Sequence, residues 1–264
     1  MSAFYNEIDP KAAAWLRELI RQGHIADGDV DERSIEDITP NELKKYTQCH
    51  FFAGIGVWSH ALRNAGWSDD RPIWTGSCPC QPFSSAGQGK GVDDERHLWP
   101  AFHWLIKQCR PDIVLGEQVA HKAGAAWFDI VSTDLEAEDY SCGKIVFPAC
   151  SVGAPHLRQR QYWLANSDDE GPQGRSKRRD SAGERTSGES SLECEERPTG
   201  PTNGHWRDAD WLFCRDDKWR PVEPSTFPLV DGSPARVGRL RGYGNAIIAP
   251  QAQAFIEAVQ EINH

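Results

Sequence analysis

Short apolar runs alternate along the chain with stretches whose apolar positions recur every three or four residues. Ala3–Ile8 reads as a short strand. Asp9-Pro10 then opens a helix, with Asp as the cap and Pro at the first helical position. Trp15, Leu16, Leu19 and Ile20 give that helix one apolar face. Ser34–Ile38 reads as a second short strand, and Thr39-Pro40-Asn41-Glu42 as a capping box that starts another helix. Cys49–Phe52 is a strand, Ala53-Gly54-Ile55-Gly56 a glycine turn, and Val57–Ala65 a helix stopped by Gly66. Ile73-Trp74 is again strand-like. Leu98, Phe102, Leu105, Ile106 and Cys109 form a helical face, and Pro111–Gly116 a buried strand. A helix over 121–137, a strand over 144–149 and a last helix carrying Ile248, Phe255, Ile256 and Val259 complete the pattern. Strands alternating with helices predict an α/β fold, a mostly parallel central sheet with helices on both faces.

The alternation stops at residue 166. Over 166–205 only Ala182, Leu192 and Cys194 are apolar, among residues rich in Ser, Gly, Glu and Arg. Such a stretch cannot bury enough surface to order itself. Trp206, Trp211, Phe213, Trp219 and Phe227 follow as a small aromatic-rich lobe. The expected division is therefore a main domain over 1–165 and 236–264, interrupted by a short irregular lobe over 166–235.

Composition narrows the picture. The eight cysteines contain no CxxC pair, so no metal site is expected. No apolar run has membrane length, and a reduced, cytoplasmic chain is expected. The net charge of −10 does not advertise a nucleic-acid binder. Binding to DNA requires the basic residues to gather locally, and Arg236, Arg239 and Arg241 form one such cluster, while Arg175–Arg179 reads first as a solvated linker and only second as a phosphate contact.

Two stretches carry candidate chemistry. In Gly76–Gly87, Pro79 and Pro82 fix the backbone on either side of Cys80, which suits a thiol held for presentation at a strand end. The strand–glycine turn–helix at 49–65 lets a ligand approach the backbone and lie over a helix N-terminus.

Pro79-Cys80-Gln81-Pro82-Phe83-Ser84 resembles motif IV (PCQxFS) of the DNA (cytosine-5)-methyltransferases. Phe52-Ala53-Gly54-Ile55-Gly56 resembles their motif I, Asn6-Glu7-Ile8-Asp9 motif II and Asp37-Ile38-Thr39 motif III. Glu117-Gln118-Val119 resembles motif VI, with Gln in place of the usual Asn. Gly153–Ala165 resembles motif VIII, with His156 in place of the usual Gln and with Arg158 and Arg160 expected to project the same way from a strand. Gly242–Gln251 resembles motif X.

The resemblance implies a Rossmann-like methyltransferase fold binding S-adenosylmethionine and releasing S-adenosylhomocysteine. Cys80, Glu117, Arg158 and Arg160 would be catalytic. Glu7, Ile8, Asp37, Ile38, Phe52, Ala53, Gly54, Ile55, Gly56, Pro79 and Asn245 would line the cofactor pocket. Gln81, Ser84, Ser85, Arg236, Arg239 and Arg241 would meet duplex DNA, whose target base must be flipped out. A monomer is expected, a compact member of phage or restriction–modification type, with residues 166–235 as a short target-recognition region. Motifs II and III precede motif I here, which implies a permuted order. The strand of motif I would still lie between those of motifs II and IV, and the connection from motif I to motif IV would become a left-handed crossover. The same chemistry on RNA or dCMP, and a non-catalytic module binding S-adenosylmethionine or DNA, are the alternatives.

Overall fold

A computed structural model describes residues 2–79, 98–120, 122–154, 157–167, 210–213, 219–222 and 246–262. The first strand, β1 (Ala3–Asn6), is buried at every position, the signature of a strand covered on both faces. Helix α1 (Pro10–Arg21) begins where its cap dictates, the Asp9 carboxylate accepting from the Lys11 and Ala12 amides. Asp9→Ala leaves those amides without their cap and is expected to cost about 1 kcal/mol in a urea titration.

The strand expected at Ser34–Ile38 is instead a single 3₁₀ turn, Ile35–Asp37, with the Ser34 hydroxyl accepting from the Glu36 amide. Ile35 and Ile38 are three residues apart, which puts both on one side of such a turn, and both are buried. The second strand lies earlier, β2 (Gly28–Asp31), at the edge of the sheet. Val30 is its one apolar residue, so hydropathy gives no sign of it. The Thr39/Glu42 capping box forms as read and opens α2 (Pro40–Leu43).

Most of the remaining elements follow the pattern, though the strand expected over 144–149 runs over Ser141–Phe147 and the aromatic-rich stretch contains two hairpin strands that the pattern does not predict. They are β3 (Gln48–Phe51), α3 (Val57–Asn64), β4 (Ile73–Gly76), α4 (Trp99–Cys109), β5 (Ile113–Val119) and α5 (Lys122–Glu136). Next come β6 (Ser141–Phe147), β7 (Arg160–Asn166), a separate hairpin of β8 (Asp210–Phe213) and β9 (Trp219–Val222), and α6 (Ala249–Ile262). Arg158 lies ahead of β7, so the two arginines are not alternate residues of one strand as the sequence suggested.

Seven strands pair in the order β2-β1-β3-β4-β5-β7-β6. The first five are parallel, and β7 runs antiparallel between β5 and β6. On one face Phe4, Phe51, Trp74, Val114 and Trp163 meet α2, α4 and α5. That core is crowded enough for a Cβ on Gly116 to lie 2.1 Å from the Trp163 ring. On the other face, Ala3 and Tyr5 meet α1, while Ile73, Leu115 and Tyr162 meet α3 and α6.

These faces fix the relative hand of each connection. From β1 the chain moves one way across the sheet with α1 on the second face. From β2 to β3, and from β4 to β5, it moves the other way with its helices on the first face. All three therefore share a hand. The β3–α3–β4 connection moves in the same direction as the latter two but carries α3 on the second face, so it has the opposite hand. Right-handed connections are close to universal, which makes this one left-handed, the consequence expected from the permuted motif order.

Candidate active site

The five parallel strands end at one edge, at Asn6, Asp31, Phe51, Gly76 and Val119. Because β7 is antiparallel, its first residue, Arg160, lies opposite Val119 at that same edge. Open α/β sheets place their ligand sites there, outside the carboxyl ends of the strands.

The half of the edge around β1 is held together by two adjacent side chains. Asn6 is buried and donates through Nδ2 to the Arg33 carbonyl at 2.8 Å, pinning the loop after β2. Glu7 reaches the other way: its carboxylate accepts from the Gly54 amide at 2.7 Å and from the Asp9 amide at 2.8 Å. The loop itself is strained into shape, with Phe52 at φ +53° and Gly54 at φ +56°. Nothing lies within 4 Å of where a Cβ on Gly54 would be, so the backbone faces open space there. The Ala53 amide donates to the Asn6 carbonyl at 3.0 Å, and Gly56, at φ +81°, stands at the start of α3. Ile55 lies in a shallow apolar depression of about 190 Å³ between α1 and α3, with Val57, His24 and His60.

The neighbouring expectations divide. Ile8 is 67% exposed, an unusually bare isoleucine beside Glu7. Asp37 is exposed, its carbonyl accepting from Arg33 at 3.4 Å. The Ile38 side chain points away into the core, and its amide donates to the Ile35 carbonyl.

The half around β5 carries a buried ion pair. Glu117 is 8% exposed, and its Oε1 lies 2.7 Å from Arg160 Nε. Burial pushes its carboxyl up to about 7, against the opposing pull of Arg160 and Arg158. Arg158 donates to the Ala246 carbonyl at 2.8 Å, and burial lowers its pKa. That bond ties the approach to β7 to the start of the last helical segment.

Between the halves, the chain leaves β4 through Ser77, Cys78 and Pro79. Gln118, the departure from the motif that this stretch resembles, donates from Nε2 to the Cys78 carbonyl at 3.3 Å and accepts the Val119 amide at 2.9 Å. The substituted residue thus still supports this segment. The Cys78 thiol is buried in the core, which raises its pKa far above the ordinary range, whereas Pro79 is exposed. Cys80, Gln81, Ser84, Ser85, His156, Arg236, Arg239, Arg241 and Asn245 lie outside the described residues. Among the described residues no group of His, Cys, Asp and Glu could hold a metal ion, and no helix is long and apolar enough to cross a membrane.

Sequence reading missed the supports of this edge: Asn6 behind Glu7, Trp58 and Ser77 beside the β4 exit, and Tyr162 beneath Glu117. Asn6 alone had a signal, as part of the Asn-Glu pair. The others depend on which strands become neighbours.

The model of the C-5 cytosine-specific DNA methylase family matches residues 68–199, half of the chain. The Type II methyltransferase M1.ScrFI of Lactococcus lactis subsp. cremoris is 38% identical over 136 residues, 48% of this chain and 35% of that protein. The Type II methyltransferase M.HhaI of Haemophilus parahaemolyticus is 28% identical over 142 residues, 51% of this chain and 43% of that protein. The match thus spans less than half the length of either relative. Among solved structures, a mutant of Spodoptera frugiperda DNMT2 aligns with a TM-score of 0.44 and 19% identity, over 64% of this chain and 44% of that one.

Proposed function

The chain belongs to the C-5 cytosine-specific DNA methylases, and from that premise we propose that it methylates C5 of cytosine in duplex DNA through a covalent adduct of Cys80. The observation that carries this reading is the buried Glu117–Arg160 pair. It sits at the sheet edge where a flipped base would be received, beside the strand whose exit leads within four residues to Cys80.

Cytosine C5 is a weak nucleophile. Thiolate addition at C6 turns C5 into an enamine carbon able to attack an electrophilic methyl group, splitting one hard step into two. Negative charge develops at N3 as the thiolate adds. A Glu117 whose carboxyl is held near neutrality by burial can carry the proton that N3 takes up. Arg160, fixed by Glu117, would face the O2 carbonyl, and Arg158 would hold the segment before it. Water takes the C5 proton as the Cys80 thiolate is eliminated, and N3 returns its proton to Glu117 as the product is released.

The glycine loop fits a nucleoside-bearing donor: it is open at Gly54, it precedes a helix N-terminus, and a carboxylate stands beside it at Glu7. S-adenosylmethionine, when bound, supplies the electrophilic methyl group. Glu7 would meet the ribose hydroxyls, Phe52 to Gly56 and Pro79 would line the pocket, and Asn245 would complete it. Asp37 and the backbone of Ile38, with the exposed Ile8, would frame the base. Glu7→Ala is expected to weaken binding of S-adenosylhomocysteine by roughly 1–3 kcal/mol in calorimetry. Unchanged affinity would remove Glu7 from the pocket.

The motif order supports a permuted member of the family. The family match begins at residue 68, just ahead of β4, and leaves the Asn6-Glu7 and glycine-loop strands upstream of it. Residues 166–235 would form the recognition region, and Gln81, Ser84, Ser85, Arg236, Arg239 and Arg241 would meet DNA. The deciding experiment transfers tritiated methyl groups to duplex DNA, tRNA and dCMP and identifies the labelled nucleoside. Label in 5-methylcytosine from duplex DNA is expected. Label confined to tRNA or dCMP would overturn the substrate, and no transfer with the donor bound would overturn the activity.

A further inference from the structure

The candidate site is assembled from three separate elements: the glycine loop leading into α3, the segment leaving β4, and the Glu117–Arg160 pair on β5 and β7. One buried side chain, on the helix that follows the first, contacts the second and the strand that carries Arg160. Trp58, the second residue of α3, follows Gly56 by two positions. Its indole Nε1–H donates to Ser77 Oγ at 3.0 Å, three residues ahead of Cys80. Its ring meets the Tyr162 ring edge-on, at 5.9 Å and 82°. Tyr162 is fully buried, lies directly opposite Glu117 in the β5–β7 ladder, and follows Arg160 by two residues.

Packing alone does not account for this choice of residue. A buried indole must place its N–H on an acceptor or lose the bond it made in water, a constraint that phenylalanine does not carry. Here the acceptor is a serine hydroxyl on the exit from β4, the same segment that Gln118 holds from the opposite face through the Cys78 carbonyl. The two bonds grip consecutive residues, Ser77 and Cys78, from two sides of the sheet. The Gln118 bond comes from β5. Among the described residues, the Trp58 bond alone reaches that segment from the helix that begins at the glycine loop.

We propose that Trp58 is a positioning residue that ties the glycine loop to the root of the Cys80 stretch, so that a donor held by the loop alters the reactivity of Cys80. The inference rests on the methyltransferase reading above. Because the loop residues 52–56 run directly into the first turn of α3, a shift in them on binding moves the Trp58 ring and, through Ser77, the start of the chain to Cys80.

The test compares the wild type with Trp58→Phe, Ser77→Ala and the double variant. Methyl transfer to duplex DNA is measured alongside alkylation of Cys80 by iodoacetamide, resolved by peptide mass spectrometry with and without S-adenosylhomocysteine. Each single variant is expected to lose about tenfold in kcat, with KM for donor and DNA moving by less than about twofold. Each is also expected to lose the effect of S-adenosylhomocysteine on Cys80 alkylation that the wild type shows. The double variant should be no worse than the weaker single, because one bond is removed in each case. A wild type whose alkylation ignores S-adenosylhomocysteine, variants that keep the wild-type dependence, or single losses that multiply in the double variant would each overturn the tie. A wild type that methylates no nucleic acid would defeat the functional reading instead, and the alkylation result would still decide the tie.

Discussion

Cys80→Ser is expected to lower methyl transfer by on the order of 10⁴-fold or more while leaving S-adenosylhomocysteine affinity unchanged. A serine hydroxyl is far less ionised than a thiol near neutral pH and cannot add to C6 at a comparable rate. The companion variant Cys78→Ser separates the two cysteines of the stretch. Cys78 is buried in the core and its thiol is held well above the ordinary range by desolvation, so it is a poor thiolate and has no open face for a base. Transfer should therefore survive Cys78→Ser in whatever fraction of the protein folds. Single-turnover assays on duplex DNA with donor in excess measure both variants. Retained turnover in Cys80→Ser, or equal losses in the two, would remove Cys80 as the nucleophile.

Local signals made much of the framework legible in the sequence. Asp9-Pro10, the Thr39–Glu42 box and the stop at Gly66 each act within a few residues, and the helices begin and end where those residues direct. The one misplaced strand shows the limit of such reading. β2 contains a single apolar residue and exists because β1 offers it a parallel partner, a fact of the sheet and not of the segment. The same limit governs the site. Glu7, Glu117 and Arg160 could be picked out by the stretches around them, but what they do in the fold is set by strands far apart in sequence. Glu7 braces Gly54 from 47 residues away, and Asn6 holds Arg33 across the neighbouring strand. The role of Gln118 also needed the structure, since only there does the side chain meet the Cys78 carbonyl.

The order of the strands bears on how the proposed permutation can keep one site. A parallel sheet builds its edge from neighbouring strand ends, whatever their order along the chain. Here β3 stands between β1 and β4, so the glycine loop has Glu7 on one side and the β4 exit on the other. The left-handed β3–α3–β4 connection is the topological consequence. Keeping α3 on the face it shares with α6 keeps the helix N-terminus behind the loop and Trp58 beside Ser77. A right-handed connection would carry the helix to the face already filled by α4 and α5 and would break that arrangement.

The Glu117–Arg160 pair carries the other large expected effect. Arg160→Met removes one partner of a buried pair and leaves a carboxylate that is 8% exposed without its 2.7 Å counter-ion. The cost in stability should be about 3–5 kcal/mol near pH 8. It should shrink as the pH falls, and the sign follows from proton linkage. In the wild type, burial raises the folded pKa of Glu117 from 4.5 to about 7, so between those values the folded state binds more proton than the unfolded state. The group's contribution is full below about pH 4.5 and is lost as the pH rises through about 7. Without Arg160 the folded pKa rises further, and the loss extends to higher pH. Urea titrations of wild type and variant at pH 6 and pH 8 measure the difference, and a deficit equal at both values would show that Glu117 is not held in a desolvated site. The same proton sets the pH profile of transfer. Activity should fall as the pH rises through about 7, where Glu117 gives up the proton it would offer to N3. Glu117→Gln, which keeps a donor amide but cannot ionise, should retain a reduced rate without that falling limb. A limb that persists in Glu117→Gln would assign it to another group and leave Glu117 as a structural partner of Arg160 only.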